Sequence, residues 1–323
     1  MQSIWIMTGA ALTVALLSSH QASAFTAYVS NEKGNTVTVI DLDKMEVTAT
    51  VPVGERPRGI IMSGDNKQVY ICTSDADHVE VLDTETLKVV RTLPSGPDPE
   101  LFTLAPDGKT LYVANEDNNM VTVLDVEAGD VAGEIAVGTE PEGMGVSPDG
   151  KWLVNTSETT SMAHFIDTSS LEVVDSVLVD TRPRFARFTP DGSKVWVSSE
   201  VGGTVAVIDV ATRKILNKIE FAVQGIRKET LQPVGISITP DGKTVFVALG
   251  PANRVAVIDA ATYEVKDYLL VGQRVWQLAL TPDGKTLLSA NGESNDVSVI
   301  DVASLKVVKS IPVGELPWGV AIK

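Results

Sequence analysis

The residues best suited to chemistry in this 323-residue chain sit on either side of a recurring proline. Before it, or before the valine that once replaces it, stand Arg56, Asp98, Glu140, Arg182, Gln232, Arg274 and Leu316. After it stand Arg58, Glu100, Glu142, Arg184, Val234, Trp276 and Trp318. Guanidinium forks grip carboxylates bidentately and lie flat on rings, and an indole offers a π-face. Arg56, Arg58, Arg182, Arg184 and Arg274 with Trp276 and Trp318 would therefore suit a planar, polyanionic ligand if the fold converges them. Arg187, three residues beyond Arg184, extends the basic sector, and Glu100 and Glu142 head an acidic one. The simpler reading of the same residues is a ring of arginine–carboxylate pairs that neutralise one another.

Other candidates are thinner. Glu32, Glu116, Glu158 and Glu200 share one register, and oxygen-rich clusters of that kind can hold a hard cation. No Asp-x-Asp-x-Asp-Gly loop accompanies them, so a solvated acidic rim is the simpler reading and no metal ligand is assigned. His164 occupies a position filled elsewhere by Thr38, Glu80, Thr122, Ala206, Ala256 and Ser298, and it reads as a gap-filler between elements. Cys72, the only cysteine, aligns with small residues throughout and reads as a buried strand residue, not a reactive thiol. The absence of Cys-x-x-Cys-His excludes covalent c-type haem, and no serine has a nucleophile-elbow context, so no catalytic residue is assigned. Asn155 stands where Val113 and Val197 would lead one to expect valine.

What must position these residues is a repeat. A Val-x-Val-[Ile/Leu]-Asp motif ends at Asp41, Asp83, Asp125, Asp167, Asp209, Asp259 and Asp301, an interval of 42 residues broken once by a step of 50. A second marker, Pro-Asp-Gly with aspartates at 107, 149, 191, 241 and 283, keeps the same intervals. Within each period apolar and polar residues alternate as in half-buried strands. In one unit, strands are expected at Gly59 to Ser63, Gln68 to Thr73, His78 to Leu82 and Leu87 to Leu93. The motif aspartate suits a turn start, where its carboxylate accepts backbone N–H groups just ahead. Phe25 to Asn31 matches the second strand of a unit, and Pro317 to Ile322 supplies the missing first one. The pattern predicts an all-β, seven-bladed β-propeller of four-stranded blades, the first blade closed by the N- and C-terminal strands.

Segments such as Leu111-Tyr112-Val113-Ala114-Asn115 and Val121-Thr122-Val123-Leu124-Asp125, with a following Val-Gly-x-x-Pro-x-Gly stretch at Val137 to Gly143, resemble the YVTN-type β-propeller repeat family over residues 25–323. Within it, the chain is similar to the periplasmic propellers associated with PQQ-dependent catabolism. That resemblance implies a role beside quinoprotein alcohol oxidation, with a periplasmic quinoprotein dehydrogenase or cytochrome as partner. PQQ, a planar tricarboxylate, has the chemistry the arginine–tryptophan set would accept.

The extra eight residues fall between Ile219 and Pro233, in a connection between blades, and expose Gln224, Ile226, Arg227 and Lys228 as a candidate partner loop. Residues 1–24 read as a cleaved export signal, with an apolar run from Ile4 to Leu17 and Ala22-Ser23-Ala24 at its end, which implies a periplasmic or secreted protein with no membrane insertion after cleavage. The formal charge of −16 argues against nucleic acid. The expected function is a non-enzymatic accessory propeller that binds a small anionic cofactor or a redox protein at the channel mouth. A pure interaction scaffold and a metal-dependent lactonase or lyase are the alternatives.

Overall fold

The computed structural model describes residues 25–323; the expected export signal lies outside the described residues. Seven sheets of four antiparallel strands form a ring. Each repeat yields one blade because its alternating residues leave two strands, such as Gln68–Thr73 and His78–Asp83, buried on both faces between neighbouring blades. The outermost strands, Glu172–Leu178 for instance, are largely exposed. Packing runs from blade to blade: Tyr70, Cys72 and Val81 share a core with Phe102, Val113 and Leu124 of the next sheet.

The ring closes as the repeat predicts. Pro317–Ile322 pairs antiparallel with Thr26–Asn31, and backbone hydrogen bonds join Thr26 and Lys323 in both directions. No edge is left open at the join. The motif aspartates cap turns: Asp83 accepts the N–H groups of Glu85 and Thr86, and Asp259 those of Ala261 and Thr262. In Pro-Asp-Gly, glycine supplies the left-handed conformation, with φ of 69° at Gly108 and 71° at Gly192. Asn66 takes that place at φ 60° in the degenerate copy.

One boundary differs from the sequence reading in a way that matters. The innermost strand of the 57–94 blade is Pro57–Met62, two residues earlier than expected, because Pro57 pairs with Thr73 across a bulge that precedes the Ile60–Ile71 pair. The irregularity recurs at Pro99, Pro141, Pro183, Pro233 and Val275. The residue after each proline is thereby inside the strand, where its side chain meets neighbouring blades around the channel.

Candidate functional site

The residue before each proline is held at the channel mouth by its backbone. Arg56, Asp98, Glu140, Arg182, Arg274 and Leu316 adopt φ between 49° and 59°, a left-handed conformation uncommon outside glycine. Side-chain clasps from the preceding blade fix most of them: the N–H groups of Arg56, Glu140, Arg274 and Leu316 donate to Oδ1 of Asn35, Asn119, Asn253 and Asn295, and that of Asp98 to Asp77. Their carbonyls in turn accept N–H groups from the loop between the second and third strands. Glu116 binds Asp98 in this way, Glu158 binds Glu140, Glu200 binds Arg182 and Glu32 binds Leu316. The glutamate register and the proline-flanking register are thus tied together by main chain.

The arginines meet carboxylates. Arg58 Nε is 3.0 Å from Glu32, and its Nη1 bonds Glu100, which is fully buried. Arg56 reaches Asp98 at 2.9 Å, Glu100 and Asp75 at 3.3 Å and Glu32 at 3.5 Å. Across the ring Arg182 lies 2.7 Å from Glu158 and Arg184 bonds the same carboxylate, while Arg274 reaches Glu200 at 2.9 Å. The indoles are enclosed by this set. Trp276 and Trp318 stack with centroids 6.4 Å apart; Arg274 lies 4.2 Å over Trp276 and Arg58 5.6 Å over Trp318. Trp318 is only 1% exposed. The structure therefore brings Arg56, Arg58, Glu100, Glu142, Arg182, Arg184, Arg274, Trp276 and Trp318 to one mouth, but with each guanidinium and both ring faces already engaged by protein.

Carboxylate exceeds what those guanidiniums neutralise, and the ionisation of the acids records it. For Glu100, burial opposes charge, yet the Arg58 guanidinium wins and holds the group below the ordinary glutamate value. Burial pushes Glu142 well above that value; Glu100 and Glu158 repel its charge, and Arg184 does not compensate. Arg184 Nη2 stands 3.0 Å from Glu142 without the alignment of a hydrogen bond, and both Glu142 oxygens lack a hydrogen-bond partner. Arg184 is shared among Glu142, Glu158 and Glu200, all of which hold its charge. Asp98 is pushed up to about 6, by burial and then by the charge of Glu100, over the opposing pull of Arg56. Glu116 is pushed up to about 7 by burial, by the charge of Glu100 and a hydrogen bond with it, and by Glu158 and Asp98. Asp98, Glu100 and Glu116 bring oxygens within 4.8 Å of one another, as do Glu116, Glu140 and Glu158. The sequence places Asp98 and Glu140 in one acidic sector and Glu116 and Glu158 on the same face, and the structure adds that Glu116 is the carboxylate shared by both clusters.

The remaining candidates fall elsewhere. Arg187 is not in the mouth; it projects into the channel beyond the tryptophans. In the inserted segment, Phe221 and Leu231 are buried, and Val223 and Ile226 pack against the same core cluster. Ile226 therefore anchors the loop, and Gln224, Arg227 and Lys228 are the exposed members, Lys228 pairing with Glu220 at 2.7 Å. His164 accepts the Gly138 N–H at Nε2, 3.1 Å away, and its Nδ1 is 2.8 Å from Ser176. Burial lowers its pKa, so it is a neutral structural imidazole. Asn155 is buried and donates to the Gly143 carbonyl at 3.2 Å, which accounts for the lost valine. Cys72 is fully buried, and burial pushes its thiol well above the ordinary range. Among the described residues no helix is long and apolar enough to cross a membrane.

Residues 117–306 match the family described as the choice-of-anchor I domain, and residues 18–132 and 49–174 match one described as Lactonase, 7-bladed beta-propeller. Nothing among curated proteins matches the chain. Solved structures with the same ring include Kuenenia stuttgartiensis hydrazine synthase, at 25% identity and a TM-score of 0.79 over 85% of this chain and 92% of that one. A functionally unknown Desulfotomaculum acetoxidans protein aligns at 19% identity, TM-score 0.80, over 93% and 99% of the two chains. A candidate 6-phosphogluconolactonase of Bacteroides uniformis aligns at 18%, TM-score 0.77, over 94% and 100%.

Proposed function

We propose, from the premise that this chain belongs to the choice-of-anchor I domain family, that it is an exported, non-enzymatic accessory propeller whose channel mouth docks a basic segment of a redox protein. The resemblance to propellers of PQQ-dependent catabolism makes a quinoprotein alcohol dehydrogenase or its cytochrome the partner. One observation carries the choice of a protein over a free cofactor. The guanidiniums and indoles that would grip a tricarboxylate are engaged internally, whereas Asp98 and Glu116 have pKa values lifted to about 6 and about 7, by burial first and then by the charge of Glu100. A lysine or arginine placed there would relieve that repulsion; a polyanion would add to it. The exposed Gln224, Arg227 and Lys228, in the connection enlarged by eight residues, would supply a second contact. The test is binding of the purified dehydrogenase and cytochrome as salt is varied. Glu116→Gln with Glu140→Gln should weaken the complex at least tenfold and flatten its salt dependence. Absence of binding to either protein at low salt, or affinity unchanged by the substitutions, overturns the reading.

A second reading is a metal-dependent lactonase. It is favoured by the match of residues 18–132 and 49–174 to the lactonase propeller family and by the two carboxylate sets that share Glu116. The fit to a divalent ion is partial, since Asp98, Glu100 and Glu158 already bind arginines. In that reading Glu116 would hold the ion together with Glu140, and the ion would supply Lewis-acid polarisation of a carbonyl. Hydrolysis of a simple lactone that requires added Ca²⁺ or Mn²⁺ and is lost in Glu116→Gln would establish it.

A further inference from the structure

We propose that the central channel, on the far side of the Trp276–Trp318 stack, is a binding site for a small monoanion with an apolar body, its charge held by Arg187. The inference is independent of the mouth reading: it concerns a different compartment and a different kind of ligand.

The innermost strands start at the mouth and end at the opposite face. Their distal halves enclose a cavity of about 540 Å³, floored by Trp318, Leu101 and Met144 and walled by residues such as Phe185, Phe188 and Leu280. That volume lies within the range of small-ligand pockets. Of the residues lining it, Arg187 alone is charged. The mouth arginines show what an arginine does in this ring when a counter-charge is supplied; Arg187 has none. Among the described residues no carboxylate comes within salt-bridge distance of it and it makes no side-chain hydrogen bond. Its side chain is exposed to the open channel, and the protein walls around that channel still draw the guanidinium below the ordinary arginine value.

The sequence isolates the same residue. The six equivalent positions are Ile61, Thr103, Gly145, Ser237, Ala279 and Ala321, none of them charged. A single arginine in that layer does not serve the blade architecture, which the other copies build without it. The guanidinium faces the cavity with no protein counter-charge, so its fork is free to take an anion. Its planar fork suits a carboxylate or sulfonate, and the surrounding phenylalanines, leucines and methionines suit a hydrocarbon or aromatic body.

Two naphthylamine dyes with the same rings test this, one carrying the charge and one not. The full-length mature protein is titrated with 8-anilinonaphthalene-1-sulfonate and, separately, with neutral N-phenyl-1-naphthylamine, and fluorescence is followed. The native protein should bind the sulfonate saturably at one site. Arg187→Met should weaken sulfonate binding at least tenfold and change the neutral dye less than twofold. Arg187→Lys should keep most of the sulfonate affinity, which separates loss of charge from loss of fold. The mouth variant Arg182→Ala should bind both dyes as the native protein does. No saturable sulfonate binding by the native protein, or an Arg187→Met change equal for the two dyes, overturns the assignment.

Discussion

Replacing Glu116 by glutamine should stabilise the protein above neutral pH and do nothing in acid. Its carboxyl carries a pKa of about 7 in the fold against an ordinary 4.5, because burial and the charges of Glu100, Glu158 and Asp98 disfavour its anion. The sign follows from proton linkage. Between about 4.5 and about 7 the native state binds more protons here than the unfolded chain, so stability is full below the lower value and falls as pH rises to the upper one. At 1.36 kcal/mol per pH unit the full cost of the anion is ~3.4 kcal/mol. Glu116 is only partly buried, and solvent screening at the mouth brings the expected gain down to roughly 1–2 kcal/mol. Glutamine keeps a hydrogen-bond donor toward Glu100 and removes the charge. Urea denaturation of both proteins at pH 4, 6 and 8, in metal-free buffer, reads the effect as a midpoint difference that opens with pH. Equal midpoints at pH 8, or a variant less stable there than the native protein, would refute the crowding argument and imply that the Glu116 anion is satisfied.

Three further outcomes follow from the same geometry. Arg58→Met should cost about 3–5 kcal/mol in urea unfolding, since it strands the fully buried Glu100 carboxylate, and adding Glu100→Gln should recover much of the loss. His164→Ala should cost roughly 1–3 kcal/mol by the same assay, because the Gly138 N–H and Ser176 lose a buried partner, with no pH dependence between 7 and 9 for an imidazole that is already neutral. Cys72 should resist a thiol-reactive disulfide reagent in the native state at pH 8 and react at once in denaturant, given complete burial and a raised pKa.

The ring was legible because its markers recur in fixed register, and a register is one-dimensional information. Asp41 to Asp301 and the match of Pro317 to Pro57 are enough to close the sheet. The same register placed the mouth residues on one face, since all of them flank the same proline. What it could not carry is angle and depth. Arg56 binds Asp98 of the next blade, whereas Arg274 reaches across to Glu200, 74 residues away in sequence. Those choices depend on channel diameter and side-chain reach. Arg187 is three residues from Arg184 and was grouped with it for that reason. In an extended strand three residues span roughly 10 Å, enough to carry a side chain from the mouth past the tryptophans.

That separation gives one ring two compartments of opposite electrostatic character. In the mouth, burial together with neighbouring carboxylates raises the carboxyl pKa values of Asp98, Glu116 and Glu142. Among the described residues that line the cavity beyond the Trp276–Trp318 stack, the one charge is positive and has no counterpart. Mutual neutralisation would need Arg187 and those acids to lie within a few ångströms, and Arg187 stands three residues further along its strand than the register that carries Trp276 and Trp318. The Trp276 and Trp318 Nε1 groups are buried and lack hydrogen-bond partners, so the stacked pair is kept by its position and packing and not by polar bonds of its own. Such a stacked indole pair supplies bulk and a low local dielectric between the two registers.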